Sequence, residues 1–108
     1  MLFRSALAVT SPQPSLLAPG LPTVAATLPG YESLSIYGFF APAKTPAAIV
    51  QLLNREAVRA LSRAEVKDML LKAGIEAVGT TPETFADVIR QDVARMRKVL
   101  EDAGIKED

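Results

Sequence analysis

The sequence predicts an α/β chain in which short strands accompany three main helices. Short runs of branched and aromatic residues, bounded by proline and glycine, read as strands. Amphipathic stripes at helical spacing occupy most of the chain after Thr45. Charge divides the chain at the same place. Between Arg4 and Lys44 the only charged residue is Glu32, whereas residues from Thr45 onward carry 21 of the 24 charged side chains. Two regions are expected from this: residues 1–44, an apolar crossover and strand region, and residues 45–108, a helical region with one short strand. A segment with a single charge lacks an ordinary solvated surface, so either the later helices or protein outside this chain should cover it.

Ala6–Ser11 has no charged face and reads as a strand buried on both sides, as in a parallel sheet. Pro12 and Pro14 end it, since proline cannot donate to a sheet ladder. Ser15 to Gly20 is loop. Leu21 to Leu28 suits one or two helical turns with Pro22 in the first. Leu28-Pro29-Gly30-Tyr31 is a turn, with glycine free to take a positive φ. Tyr31 to Ala41 is aromatic and branched, lies between Pro29-Gly30 and Pro42, and reads as a buried strand. Gly38 inside it suggests a bulge or a close approach by another backbone or a ligand.

The first long helix should start at Thr45-Pro46, a capping hydroxyl followed by proline. Its buried stripe is expected along Ile49, Leu52, Leu53, Ala57, Ala60 and Leu61, with Asn54, Arg55 and Arg59 on other faces. Ser62 and Glu65 have capping-box spacing for a second helix, whose apolar stripe is Val66, Met69, Leu70 and Ala73. Gly74 is placed to end it in the left-handed conformation. Ile75–Val78 alternates like a short strand. Thr81-Pro82-Glu83 then opens a helix to about Ala103, with Phe85, Ile89, Val93, Met96, Leu100 and Ala103 on one face. Gly104 ends it, and Ile105 can fold back in a Schellman-type arrangement.

The totals exclude much chemistry. A chain of 108 residues allows one domain with a modest core. It has no cysteine and no histidine, which removes disulfides, thiolate nucleophiles, ordinary structural zinc sites and imidazole catalysis. The lack of cysteine does not choose a compartment. Twelve basic and twelve acidic side chains balance, leaving no electrostatic drive toward nucleic acid. No apolar run approaches the roughly 20 residues of a membrane helix. The short run from Met1 to Val9 reads as an interior strand rather than a signal peptide, because it breaks at Thr10-Ser11-Pro12.

The helical carboxylates are interleaved with Arg and Lys, as on a solvated face. Arg90, Arg95, Arg97 and Lys98 are spread around their helix and mixed with acids. No catalytic residue, metal site or cofactor is expected, and the chain does not read as an enzyme. Tyr37-Gly38 stands out, because a hydroxyl beside an approachable backbone suits a ligand. An ordinary core aromatic with a bulge glycine explains the same residues.

The order of motifs resembles the C-terminal third of the periplasmic solute-binding receptors of tripartite tricarboxylate transporters, often called Bug-type receptors. The matching segments are Leu7–Ser11, Leu21–Ala25, Leu28–Glu32, Tyr37–Ala43 with Thr45-Pro46, and Leu53-Asn54 with Glu56. Gly79 with Thr81-Pro82-Glu83, Phe85-Ala86 and Ala103-Gly104-Ile105 complete the set. Ile36 and Met96 stand where the family often has tryptophan, Lys44 stands where glycine is usual, and the turn before Leu28 looks one residue short.

The resemblance implies a fragment of a two-lobed periplasmic-binding-protein-like (type II) fold closing over a small di- or tricarboxylate. The ligand would be held mainly by backbone amides and waters from loops earlier in a complete receptor. It implies a periplasmic location and membrane transporter subunits as partners, and it makes Tyr37, Gly38 and Thr10 cleft-edge ligand-binding candidates. A fragment with uncovered apolar strands, Ala6–Ser11 or Ser33–Ala41, is expected to form homo-oligomers by strand pairing. The alternative function is a structural or interaction domain that docks a partner chain through its apolar N-terminal face.

Overall fold

The computed structural model describes residues 5–106. The N-terminal run from Met1 to Val9 therefore begins outside the described residues. The regular structure is helical: a 3-10 turn at Val24–Ala26, then α1 at Ala47–Leu61, α2 at Ala64–Lys72 and α3 at Pro82–Asp102.

The α/β class is corrected by this structure. Among the described residues no strand forms, and the β pairing consists of one isolated parallel bridge between Val9 and Thr23. Ala6–Ser11, Tyr31–Ala41 and Ile75–Val78 all lack strand structure. The physical reason is that a strand exists only as part of a ladder. Branched and aromatic residues make a segment suited to a ladder without supplying its partner. Expected burial fails with it, since Leu7 is 82% exposed and Phe39 is 89% exposed. Homo-oligomerisation through apolar strands is likewise unsupported, because the strands that would pair are not formed.

Two compact units share the described residues. The first combines Met1–Ala41 with Ala64–Ala77, and the second combines Pro42–Arg63 with Val78–Asp108. No described side chain is fully buried in either.

In the first unit, Val9 is the hub of the N-terminal segment. Its N–H donates to the Pro22 carbonyl at 2.9 Å, and its carbonyl accepts from the Val24 N–H at 2.9 Å. Thr23 is the N-cap of the 3-10 turn, its hydroxyl oxygen accepting from the Ala26 N–H at 3.2 Å. Pro29 and Gly30 make the expected turn. Gly30 has φ +85°, and the Tyr31 N–H reaches the Leu28 carbonyl at 3.1 Å. α2 ends in a Schellman motif: Gly74 takes φ +80°, the Gly74 N–H bonds the Leu71 carbonyl at 3.0 Å, and the Ile75 N–H bonds the Leu70 carbonyl at 2.9 Å.

In the second unit α1 packs on α3. Pro46, not Thr45, occupies the N-cap of α1, with φ −56° and ψ 137° and no side-chain cap. The Thr45 N–H is already engaged in a turn with the Pro42 carbonyl at 2.9 Å. Ser62 closes α1 in helical backbone geometry, with φ −80° and ψ −12°, whereas an N-cap for α2 would need an extended backbone. Its hydroxyl donates to the Val58 and Arg59 carbonyls at 2.7 and 3.0 Å.

The shielded face of α1 is rotated from the expected stripe. Val50, Asn54, Ala57, Val58 and Leu61 are half-buried, whereas Ile49, Leu52 and Leu53 are exposed. α3 begins as its sequence predicts, with Thr81 as N-cap accepting from the Thr84 N–H at 3.1 Å and proline in the first turn. Phe85, Ile89 and Leu100 of its expected stripe are half-buried, while Val93 and Met96 are exposed. Gly104 repeats the Schellman ending, with the Ile105 N–H on the Leu100 carbonyl at 2.9 Å.

Candidate functional site

The candidate residues lie in the first unit, where one short stretch of chain is held between two others. Val9 bonds the segment entering the 3-10 turn, and the next residue bonds the segment after it. The Thr10 carbonyl accepts from the Ser33 N–H at 2.9 Å. In return the Thr10 hydroxyl donates to the Ser33 carbonyl at 2.9 Å. This reciprocal pair fixes the start of the aromatic stretch and commits the Thr10 hydroxyl hydrogen. Only its oxygen lone pairs remain to meet a ligand.

Beyond Ser33 the chain is irregular, and it carries its large side chains in the open. Tyr37 is 74% exposed and Phe40 is 77% exposed, and Gly38 between them is exposed as well. The core-aromatic reading of Tyr37 does not match that exposure. Among the described residues no hydrogen bond joins Thr10 to Tyr37 or Gly38. The three candidates belong to the same compact unit.

A polar cluster that the sequence did not suggest lies elsewhere in the same unit. The Glu76 carboxylate accepts from the Ser15 hydroxyl and, at 2.9 Å, from the Leu16 N–H. Hydrogen bonding by the Ser15 side chain holds the Glu76 carboxyl below the ordinary glutamate value; desolvation opposes it, and the Leu16 and Leu17 backbone N–H groups add smaller lowering contributions. The partners are separated by 61 residues, so neither period nor motif links them.

In the second unit an open depression of about 250 Å³ is lined by Glu56, Arg59, Ala60 and Arg63. It contains none of the candidate residues. Its lining combines two guanidinium groups with one carboxylate, a mixed-charge surface. Among the described residues no cluster of acidic side chains could hold a metal ion, and no helix is long and apolar enough to cross a membrane.

Comparison with known proteins places this chain. A UPF0065 protein from the tcbD–tcbE intergenic region of a Pseudomonas species is 38% identical over 97 residues, covering 88% of this chain and 29% of that protein. A UPF0065 protein from the clcB–clcD intergenic region of Pseudomonas knackmussii is 34% identical, covering 88% of this chain and 57% of its own length. A UPF0065 protein of Bordetella bronchiseptica is 27% identical, covering 82% of this chain and 26% of its own length. The chain therefore spans between about a quarter and somewhat over half of these relatives. No solved structure matches it. The model of the tripartite tricarboxylate transporter family receptor matches residues 3–105, and over that span the chain belongs to this receptor family.

Proposed function

We propose that the chain is part of a periplasmic solute-binding receptor for small carboxylates that serves a tripartite tricarboxylate-type transporter. The match to the receptor family over residues 3–105 is the observation that carries this reading. The same match supports a non-enzymatic role, since the family is one of receptors. Membrane transporter subunits are the partners this role requires, and the ligand is a di- or tricarboxylate.

Tyr37, Gly38 and Thr10 are the proposed ligand-facing residues. Tyr37 supports this by its exposed phenol, a donor and acceptor suited to a carboxylate oxygen. Gly38 supports it by leaving its backbone open to close approach. Thr10 contributes by fixing the base of the stretch through Ser33.

The test is calorimetry of a full-length relative against a panel of di- and tricarboxylates. Saturable binding is expected. At the matching positions, Tyr37→Phe should weaken it by about tenfold, the loss of one good polar contact, and Gly38→Val should weaken it by obstructing approach to the backbone. No saturable heat with any acid would overturn the carboxylate assignment. Unchanged affinity in both variants would remove Tyr37 and Gly38 from the site.

A second reading is favoured by the exposed aromatic stretch itself. Phe39 and Phe40 stand open in a segment whose only charge is Glu32, which suits a structural domain that docks a partner chain. Saturable heat with a small acid separates the two readings, because a docking surface gives none.

A further inference from the structure

The loop between Ser11 and Gly20 is held by a polar tie rather than by packing. Its remaining hydrogen bonds are short-range. The Ser11 hydroxyl donates to the Gln13 carbonyl, the Leu17 N–H donates to the Ser15 hydroxyl oxygen at 3.1 Å, and the Ala18 N–H donates to the Ser15 carbonyl at 3.3 Å. Its leucines are only partly covered, with Leu16 75% exposed and Leu17 44% exposed. Apolar burial therefore supplies only a fraction of what a core leucine contributes. Against this, the Glu76 carboxylate takes two hydrogen bonds from consecutive residues of the loop, the Ser15 hydroxyl and the Leu16 N–H.

We propose that Glu76 is a releasable strap: its charged carboxylate seats the Ser15–Leu17 turn and holds the proline-bounded loop to the segment leaving α2, and neutralising it frees the loop. Charge matters because both bonds run from neutral donors to an ionised acceptor, the stronger class of hydrogen bond. A neutral amide or a protonated acid at the same place accepts more weakly.

The surrounding charges leave this role to Glu76. The loop carries no titratable side chain between Ser11 and Gly20. On α2 the charged residues are Glu65, Lys67, Asp68 and Lys72, of which Lys72 and Asp68 pair with each other at 2.7 Å. The Schellman turn at Gly74 and Ile75 sets where Glu76 leaves the helix.

The experiment is residue-resolved NMR on the intact chain. In the wild type the Leu16 amide shift should titrate with a midpoint below the ordinary glutamate value. Glu76→Gln should abolish that titration and speed hydrogen exchange at Leu16 by about tenfold, while the amides of α3 stay protected. Ser15→Ala, which keeps the Leu16 bond, should speed exchange by only a few-fold. A Leu16 amide that does not titrate, or titrates at or above the ordinary value, would overturn the proposal. So would Leu16 exchange that is unchanged in both variants. If Glu76→Gln also exposes α3, Ser15→Ala decides: faster exchange confined to the loop supports the strap, and any other result overturns it.

Discussion

The Asn54 side-chain amide donates to the Thr80 carbonyl at 2.8 Å, tying the middle of α1 to the loop that opens α3. Gln51, one turn earlier, reaches Glu83 at 3.3 Å. Val58, one turn later, lies against Gly79. Residues 51, 54 and 58 have helical spacing, so one face of α1 receives the whole approach to α3.

Asn54→Ala should destabilise the chain by about 1–2 kcal/mol, because a half-buried carbonyl loses its partner. Chemical denaturation monitored by circular dichroism measures this. Gln51→Ala, which removes a longer and exposed bond, should change stability by less than about 0.5 kcal/mol.

A Cβ added at Gly79 would stand 3.2 Å from the Val58 Cγ1. Gly79→Val is therefore expected to cost about 1–3 kcal/mol by overpacking. In a Val58→Ala background the cost should shrink, and a double-mutant cycle reads the difference. Equal costs in both backgrounds would show that Val58 is not what restricts the position.

Gly74 has φ +80°, where side chains other than glycine are strained, yet open space surrounds its Cβ position. Gly74→Ala should cost about 1–2 kcal/mol through backbone conformation alone. Gly74→Asn should recover part of that, since asparagine tolerates the left-handed region. Thermal unfolding of the two variants ranks them.

The depressed Glu76 carboxyl sets a direction for acid. Its contribution to stability is complete above the ordinary glutamate value and is lost as pH falls through the lower value of the folded state. Wild type minus Glu76→Gln, measured by denaturation across that window, should fall toward zero at the acid end. The difference should be small, because the carboxylate is exposed and screened by solvent.

Helices are legible in the sequence wherever a local signal suffices. Thr81-Pro82 opens α3 through a bond made three residues away, and Gly74 and Gly104 end helices through bonds no longer than five residues. Contacts that depend on distant chain are not legible. Polarity assigns Asn54 away from the shielded face, yet the Thr80 carbonyl satisfies it there. The aromatic stretch around Tyr37 has every local property of a strand except a neighbour to pair with. Thr10, Tyr37 and Gly38 are candidates by resemblance. Their residue types supply donors and open backbone but give no distance between them, and the Ser33 bond that occupies Thr10 has no sequence signature.

The two units are threaded through one another along the chain. Met1–Ala41 belongs with Ala64–Ala77, and Pro42–Arg63 belongs with Val78–Asp108. Neither can be excised as a continuous peptide. A stop codon or protease cut in the linker before α1, or in the one after Ala77, would separate at least one unit from part of itself. A stop after Ala77 would leave the first unit whole and divide the second, whereas a cut before Pro42 would divide the first and leave the second whole.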